Sequence, residues 1–454
     1  MTTGLQSAFN DLFSSKSFDP GEIRLNLASE KSAADPHRWV VFGTLAAVYF
    51  FVYFHRVSTS VVAPDLIFSF QTNATALGLM SSMYFYAYAF EQPMVGYLSD
   101  RWGPRRVVGF WSLIAVVGCV IFGLSPTITW ASIGRGLIGI GVGGVYVPAL
   151  KSFSQWFRLK EFTTLIGLLM AIGNMGAIMA TTPLAWTSKT WGWRISFFAI
   201  AGITLLLAVI TLVFTRDYQA VVSNNVEHNL RQNRDSSSDQ IHRRLILTSI
   251  KFWLLFIIFF GIYGIFLTLQ GLWATPYLMS VLQIDQLSAS HLNIALPLGF
   301  MLGAPLFGWI ADRISAKKVH LFIGLIGAVT LFWLILSLRT KTLNARGLMV
   351  LFFLMGTATG GWLSTLWSLI RETTPSEIMG SISGWLNPAP FLGIAVFQVL
   401  TGAVLDHVGR INGAYPPEAF QTAFWVCTMT AVGCLMLSII LKTHMVSSAS
   451  PGIN

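Results

Sequence analysis

The chain contains the same short polar motif twice, and each copy directly follows an apolar run. The first copy extends over residues 96–106 and the second over residues 308–318. The glycine, the aspartate and the terminal basic pair are each separated from their counterparts by 212 positions. Self-similarity at a fixed distance indicates an internal duplication, so the chain is predicted to consist of two related halves.

Long apolar runs fill most of both halves. Of the 454 residues, 54% are hydrophobic and only 11% are charged, whereas a soluble protein has about 25% charged residues. Because a spanning helix needs about 20 apolar residues, we predict an all-α polytopic membrane protein with twelve transmembrane helices. The predicted spans are residues 39–63, 76–98, 106–125, 128–156, 162–186, 194–215, 250–280, 288–311, 318–338, 346–371, 377–404 and 417–442.

Polar stretches divide the predicted spans into two groups of six. Residues 216–247 are polar and contain three consecutive serines and several charges, which is typical of a linker. The predicted organisation is a tail (1–37), a first six-helix half (38–215), the linker, a second six-helix half (248–443) and a second tail (444–454).

The distribution of lysine and arginine predicts how the chain is oriented. Twenty of these residues fall in the tails and in loops on the side of the linker, and six fall in loops on the opposite side. The side richer in basic residues faces the cytoplasm, so we expect both termini there, in the inner membrane of a bacterium. The same distribution accounts for the net charge of +10 without a nucleic-acid partner.

No residue pattern indicates a cofactor or a metal. The three cysteines, Cys119, Cys427 and Cys434, lie in predicted spans, where cysteine acts as a small packing residue. The sequence shows no set of nucleophile, base and orienting group, and no ATP-binding loop. We therefore expect no cofactor, no metal and no enzymatic activity.

The repeated motif is suited to control contact between helix ends. Its glycine allows two helices to approach closely. Its acid and bases lie where a helix leaves the bilayer, so they can pair with each other or with a neighbouring helix end. We expect the two aspartates to cap or pair across the boundary between the halves. The gating candidates are Gly96, Asp100, Arg101, Arg105, Arg106, Gly308, Asp312, Arg313, Lys317 and Lys318.

Arg56 is a charged residue deep inside the first predicted span. It lies eight residues before Pro64, or about 12 Å of helix, and charges inside a bilayer are functional candidates. Tyr53, Arg56 and Ser60 share one helical face, which we expect to line a cavity and bind substrate. A guanidinium binds carboxylate, sulfonate or phosphate through paired donors. The alternative is a structural ion pair, for instance with Glu91.

Glu91 is the only acid well inside a predicted span. Tyr84, Tyr88 and Glu91 fall on one helical face, and a buried carboxyl group can take up and release a proton. We predict proton coupling at Glu91, with His55 as the second candidate, and substrate contacts at Tyr84 and Tyr88. The alternative is a carboxylate that is permanently paired.

The second half offers neutral polar groups to a central site. Tyr263, Gln270 and Trp273 share a face of the seventh span and are predicted to contact substrate, although an aromatic stripe that packs on neighbouring helices remains the alternative. Asn387 is a further predicted substrate contact. It precedes two prolines, at 388 and 390, which should interrupt span eleven at a place where free carbonyl groups face a cavity.

The repeated motif resembles the loop between the second and third helices of the major facilitator superfamily, whose pattern is Gly-x-Leu-Ala-Asp-Arg-x-Gly-Arg-Arg/Lys. The first copy differs at Ser99 and contains Pro104 as an extra spacer, and the second has Ser315 in place of a glycine. The matching positions of the first copy are Gly96, Leu98, Asp100, Arg101, Gly103, Arg105 and Arg106. The resemblance covers residues 38–443 and implies alternating access to a site between the halves, near mid-membrane.

Two further stretches resemble parts of this superfamily. Arg135 opens the fourth span and is similar to an arginine that is linked to coupling there; the alternative is a structural arginine that reaches the membrane surface. Residues 53–58 resemble the first helix of the organic-anion branch, which includes anion:cation symporters and organophosphate antiporters. His55 and Ser58 replace the acid and the amide of the symporters, and span seven lacks the second arginine of the antiporters.

The sequence as a whole predicts a secondary transporter for a small organic anion. A carboxylate or sulfonate is favoured over a phosphate ester, and a proton or another cation such as sodium is the expected coupling ion. The expected partners are the substrate and membrane lipid, and the expected oligomeric state is a monomer. A neutral or zwitterionic solute (an amino acid, a peptide or a sugar) and a transporter-derived ligand sensor remain alternatives.

The predicted orientation can be tested by cysteine labelling in intact cells. In a cysteine-free background, Ser237→Cys should resist impermeant thiol reagents, because the linker is predicted to face the cytoplasm. Thr342→Cys, in a loop of the opposite side, is the matched control and should be labelled. Ready labelling at position 237 together with protection at position 342 would reverse the orientation.

Overall fold

The computed structural model describes residues 35–217, 249–314, 318–373, 382, 384–411 and 413–447. Most of the two predicted tails, most of the predicted linker and the gating candidate Lys317 lie outside this range. The first half contains six spans. They are α1 (His37–Phe70), α2 (Ala74–Trp102), α3 (Pro104–Leu124), α4a (Ile128–Gly143) with α4b (Tyr146–Trp156), α5a (Leu159–Met179) with α5b (Thr182–Trp191), and α6 (Trp193–Phe214).

The second half repeats this order. Its spans are α7a (Ile250–Thr268), a π-helical turn (Leu269–Trp273) and α7b (Ala274–Leu282), α8a (Gln286–Asn293) with α8b (Ala295–Arg313), α9 (Lys318–Arg339), α10 (Ala345–Thr373), α11 (Pro388–Val408) and α12 (Pro417–Ser447). We call the end of the bundle where α6 stops and α7a starts the linker end, and the opposite end the distal end.

Eleven of the helical segments are both long and apolar enough to cross a membrane. The twelfth span, α2, has 29 residues and is therefore long enough, but Glu91, Asp100 and Arg101 and its serines and tyrosines make it more polar. A span of this composition has to face protein or a cavity along much of its length. The twelve-helix prediction is confirmed.

Five predicted spans are interrupted within the described residues. Spans four, five and eight each contain a short break, and span seven contains the π-helical turn. A π-turn adds a residue to the helical repeat and rotates the following residues to a new face. In span eleven, Asn387 is a turn residue and α11 starts at Pro388, so the helix is broken where the two prolines predict it.

Glycines allow α8b and α10 to cross with their backbones in contact. In α8b and α10, a β-carbon at Gly299 would overlap the carbonyl group of Phe353, and one at Gly356 would overlap that of Leu296. The glycines of the repeated motif were expected to allow a similar close approach, but they do not lie at such a contact. A β-carbon at Gly96 would have no atom of the described residues within 4 Å, and one at Gly308 would be only in ordinary contact with Ser364. The predicted close approach at Gly96 is therefore wrong for this conformation.

Hydrogen bonds between the halves lie at the distal end in the described part of the chain. Ser60 Oγ accepts from the backbone N–H of Thr275 at 3.2 Å, and Gln286 Nε2 donates to the carbonyl oxygen of Val61 at 2.7 Å. Lys189 of the first half also forms an ion pair with Asp285 of the second at 3.1 Å. Hydrogen bonds from Ser288 and Lys189 lower the pKa of Asp285 to about 2, so this carboxylate stays charged at neutral pH. The distal end is closed.

Asp406 accepts several of these hydrogen bonds between the halves. Its carboxylate, at the distal end of α11, accepts hydrogen bonds from the backbone N–H groups of Ala74 at 2.9 Å and Thr75 at 2.8 Å, and from the Thr75 hydroxyl. Tyr415 donates its hydroxyl proton to the same carboxylate. An acid of the second half thus satisfies the free N–H groups at the start of α2 in the first half, where the helix dipole favours negative charge.

We expect Asp406→Asn to weaken distal closure. The amide keeps the size of the side chain but loses the charge and one acceptor, and hydrogen bonds to charged groups contribute about 1.5–3 kcal/mol. The fraction of molecules open at the distal end should therefore rise roughly tenfold or more. Spin labels at Gln71 and Thr342, one in each half, would report longer distances between them.

The matched control is Glu418→Gln, which removes a distal carboxylate that pairs with Lys341 within the second half. It should leave the spin-label distances unchanged. Equal distance distributions in Asp406→Asn and the parent protein would show that this carboxylate does not hold the halves together.

Candidate functional site

A small cavity of about 10 Å³ lies between the halves in the middle of the bundle. Four spans contribute to it, two from each half, which is the arrangement that lets both halves contact one substrate. The lining residues are Tyr53, Arg56, Val57, Asn174, Ala177, Tyr263, Phe266, Leu267, Gln270 and Phe300.

Arg56 supplies the charge of this cavity. Only 6% of the residue is exposed. Its guanidinium carbon lies 4.4 Å from the ring centre of Tyr53, 5.4 Å from that of Tyr88 and 5.3 Å from that of Phe391. Within the described residues, no carboxylate forms an ion pair with it, and Nε has no hydrogen-bond partner. The aromatic faces stabilise the cation in part, and its Nε–H stays available for a ligand.

Glu91 is not the partner of Arg56. Its Oε2 accepts a hydrogen bond from the indole N–H of Trp111 at 2.9 Å, and its Oε1 is buried without a partner among the described residues. The carboxylate packs against Gly143 of α4a, where a β-carbon would overlap Oε1. The structural ion pair that the sequence left open is therefore absent between these two residues, and the carboxyl group has one oxygen free to hold a proton.

The predicted polar face of α2 separates into two environments. The ring of Tyr88 lies beside the guanidinium of Arg56, but neither Tyr88 nor Tyr84 is among the residues that line the cavity. Tyr84 instead donates its hydroxyl proton to the carbonyl oxygen of Val52 at 2.9 Å, and its ring lies 4.9 Å from the guanidinium carbon of Arg135. Of the two tyrosines, Tyr88 contacts the cavity arginine more directly, and Tyr84 connects it to a second buried arginine.

Arg135 and His55 form a polar cluster inside the first half. Arg135 is fully buried and donates through Nη2 to the carbonyl oxygen of His55 at 3.0 Å. The His55 ring is also fully buried, with Nε2 3.8 Å from the sulfur of Cys119. The alternative in which Arg135 reaches the membrane surface is wrong, because the glycine-rich α4a packs this side chain against Tyr84.

Two predicted substrate contacts have structural partners instead. Ser60 lies against Thr275 at the closed distal end, because residues one turn beyond Arg56 are already enclosed by α7b. Trp273 donates its indole proton to Thr401 at 2.8 Å and packs on Phe420. The π-turn rotates Trp273 away from the face that carries Tyr263 and Gln270. Neither Ser60 nor Trp273 lines the cavity in this conformation.

The second half contributes neutral groups to the cavity. Gln270 and Tyr263 both line it. Asn387 lies half-buried at the break before α11 and is not among the lining residues. Two residues that the site prediction did not include are also present. Asn174 lines the cavity, and its sequence signal was a lone amide in an apolar run. Phe391 lies beside the guanidinium of Arg56, and nothing in the sequence distinguishes it from other core phenylalanines.

The gating candidates pair within their own halves. Asp100 accepts from Lys151 at 2.7 Å, and the Asp312 carboxylate lies 4.0 Å from Lys318 Nζ. The expected pairing across the boundary between the halves is wrong for this conformation, in which the described interhalf hydrogen bonds are at the other end.

The basic members of both motif copies also have local environments. Arg105 donates its backbone N–H to Asp217 at 2.8 Å, Arg101 donates to Tyr97 at 3.3 Å, and Arg313 covers the ring of Trp309 at 3.8 Å. Arg106 is exposed. Of the whole set, Lys317 alone falls outside the described residues.

Comparison with known proteins decides the family. The family model described as Major Facilitator Superfamily matches residues 45–396, with a second match over residues 268–452. The chain belongs to the major facilitator superfamily. Members of this superfamily are transporters rather than enzymes, and the chain is accordingly a multi-pass membrane transporter for a small molecule.

Two of the relatives have names that specify an organic anion. A probable sulfoacetate transporter of Cupriavidus necator is 27% identical over 395 residues, which cover 83% of this chain and 89% of the relative. A probable L-galactonate transporter of Escherichia coli is 26% identical over 415 residues, which cover 86% of each chain.

A solved superfamily structure matches the fold. It is a bacterial homologue of the human lysosomal transporter Spinster in an inward-facing and occupied conformation. The TM-score is 0.71 at 17% identity, and the match covers 90% of this chain and 98% of that chain. At this identity the likeness describes the fold alone.

The pairing of Asp100 with Lys151 predicts an effect on conformational exchange. We expect Asp100→Asn to reduce the turnover of this superfamily transporter more than its affinity for substrate, because the side chain lies far from the cavity and at the end that must open and close. Glu161→Gln is the matched control, since Glu161 pairs with Arg38 at the same end within the same half. A loss of affinity as large as the loss of turnover would assign Asp100 to substrate binding.

Proposed function

We propose that the protein transports a small organic anion by alternating access and that Arg56 binds its carboxylate or sulfonate group. The observation that carries this proposal is the buried guanidinium at the cavity, which has no acidic partner among the described residues. A charged residue at the centre of a spanning helix costs at least about 2.5–3.5 kcal/mol. A bound anion would offset that cost whenever the site is filled.

The neighbours of Arg56 favour one anionic group on the substrate. The other polar lining residues, Tyr53, Asn174, Tyr263 and Gln270, are neutral. They can donate hydrogen bonds to hydroxyl or carbonyl oxygens but cannot balance a second negative charge as a further arginine would. A phosphate ester, which carries nearly two charges at neutral pH, fits this set less well than a carboxylate or a sulfonate.

Two of the relatives support an organic anion as the substrate. Sulfoacetate and L-galactonate, for which they are named, are both organic anions. L-galactonate carries one carboxylate, whereas sulfoacetate carries a carboxylate and a sulfonate and so exceeds the single charge that the neighbours of Arg56 favour. A neutral or zwitterionic solute is the competing proposal, and it would use the amide and hydroxyl groups of the cavity without requiring the guanidinium.

The distribution of basic residues supports an inner-membrane location with both termini in the cytoplasm. With this orientation the closed distal end faces away from the cytoplasm. The paired aspartates of the two motif copies would then change partners when the linker end closes.

Coupling to an ion is part of the proposal. Glu91 has one free carboxyl oxygen and lies on the same helix as Tyr88, which contacts Arg56. A proton taken up there would change the charge one helical turn from Tyr88. His55 and Arg135 form the second candidate group for coupling, and sodium is the other coupling ion to test. We further propose that one chain is sufficient for transport.

Arg56 substitutions test the proposed anion site. Arg56→Lys should weaken binding of sulfoacetate or of a sugar acid such as L-galactonate about tenfold or more, because it keeps the charge but loses the paired donors. Arg56→Gln should abolish binding. Thermal-shift titration of purified protein with carboxylates, sulfonates, phosphate esters, amino acids and sugars would measure both effects.

Arg194→Lys is the matched control. Arg194 stacks on Trp193 and donates to the carbonyl oxygen of Ser125, away from the cavity, so its substitution should leave binding unchanged. If Arg56→Gln binds the stabilising ligand as tightly as the parent protein, the arginine is structural. Stabilisation by sugars or amino acids alone would favour the competing proposal, and binding without flux in liposomes would favour a ligand sensor.

A further inference from the structure

A second cavity, of about 260 Å³, lies between α8 and α10 toward the distal end and is separate from the cavity at Arg56. Its walls are two short stripes of residues, and every contributor except His291 is apolar. The lining residues are His291, Ile294, Ala295 and Leu298 from span eight and Met349, Val350 and Phe353 from span ten. We call this cavity the α8–α10 groove.

The residues of the two walls have the same spacing along their helices. Residues 291, 294, 295 and 298 follow the spacing i, i+3, i+4, i+7, which places them on one helical face. Residues 349, 350 and 353 complete the same spacing with Arg346, which lies one turn nearer the distal end. Each wall therefore consists of three apolar side chains below one basic residue, and the two basic residues lie at the same end.

The packing of α8b against α10 explains why a groove forms there. At Gly299 and Gly356 the two backbones touch, so no space remains between the helices at that level. Leu298 and Met349 lie beside this contact and line the groove.

The groove faces the lipid. Val350 is 58% exposed and Met349 is 44% exposed. Leu302 and Leu306 continue the α8 face toward the linker end and are also exposed. From residue 291 to residue 298 the groove follows about 10 Å of helix, which is within the roughly 15 Å of hydrocarbon in one leaflet.

The charges at the mouth of the groove are available to a ligand. Arg346 is exposed in the first turn of α10, and among the described residues its side chain has no ion pair. The acids near the distal surface of this half are already engaged, Asp285 by Lys189 and Glu418 by Lys341. A guanidinium and an imidazole at the level of the lipid headgroups are suited to bind a phosphate.

We propose that the α8–α10 groove is a binding site for one anionic phospholipid. One acyl chain lies between the apolar walls, and the phosphate accepts hydrogen bonds from Arg346 and His291. The site is independent of the proposed substrate, because it shares no residue with the cavity at Arg56. A lipid held there fills the space between α8 and α10 at the distal end without changing their contact at the glycines.

Native mass spectrometry of the purified chain tests this proposal. The protein is delipidated in detergent and titrated with phosphatidylglycerol or, separately, with phosphatidylcholine of the same acyl chains. We expect one phosphatidylglycerol molecule to bind with clearly higher affinity than further lipids, and phosphatidylcholine to bind that site more weakly.

Substitutions in each part of the groove separate charge from packing. Arg346→Gln should weaken phosphatidylglycerol binding roughly fivefold, the effect of one cation near an anionic headgroup, and Arg346→Lys should retain most of it. Val350→Trp should fill the groove and remove the tight site for both lipids, and Met349→Trp provides a second variant of this kind. Both positions are exposed, so the fold should tolerate them.

Arg339→Gln is the matched control, because Arg339 is an exposed arginine at the distal end of α9 and does not line the groove. It should bind phosphatidylglycerol like the parent protein. The proposal is overturned if Arg339→Gln and Arg346→Gln weaken phosphatidylglycerol binding equally, or if the two lipids bind the site equally well. It is also overturned if both tryptophan variants retain the tight lipid site. Dimers that the tryptophan variants abolish would assign the groove to a second copy of the chain.

Discussion

A guanidinium without an acidic partner cannot face the lipid, and this constraint orders the bundle around Arg56. The span that carries it has to be enclosed by protein on all sides. In the apolar segment of α1, 72% of the residues are buried, and in that of its counterpart α7 the share is 78%. In the apolar segment of α6 the share is only 33%. The two central spans therefore meet at the boundary of the halves, and the aromatic rings of Tyr53, Tyr88 and Phe391 enclose the charge where water is scarce.

Closure of the distal end follows from the free polar groups of helix ends. The first N–H groups of α2 have no partner within their own helix, and Asp406 of the other half satisfies them. At the linker end, Asp100 and Lys151 pair within one half. The polar groups that join the halves are thus concentrated at one end, and those at the other end have local partners. Alternating access requires this kind of exchange, because each set of groups has to be satisfied in both conformations.

The contact between α8 and α10 shows how glycines determine the distance between two helices and the space left beside them. Glycines bring the two backbones together, and larger residues beside this contact line a groove toward the lipid. A lipid that occupies it would be bound by the shape of this helix pair and by two basic residues at its edge.

The sequence by itself determined the membrane class, the duplication, the number of spans and the presence of a cation in the first of them. These features depend on composition, on apolar run length and on a constant offset, all of which are properties of the chain before it folds. The break before α11 was also predictable, because two prolines act on their own helix.

Only the tertiary structure decided which partner each polar residue meets. Helical periodicity placed Ser60 beside Arg56 but could not show that α7b covers it, and the π-turn that moves Trp273 away from Gln270 has no simple signal in the sequence. The carboxylate of Asp406 and the N–H groups at the start of α2 are more than 330 residues apart. Periodicity describes the faces of one helix, whereas the choice between a substrate, a helix end and a neighbouring side chain depends on how twelve helices pack together.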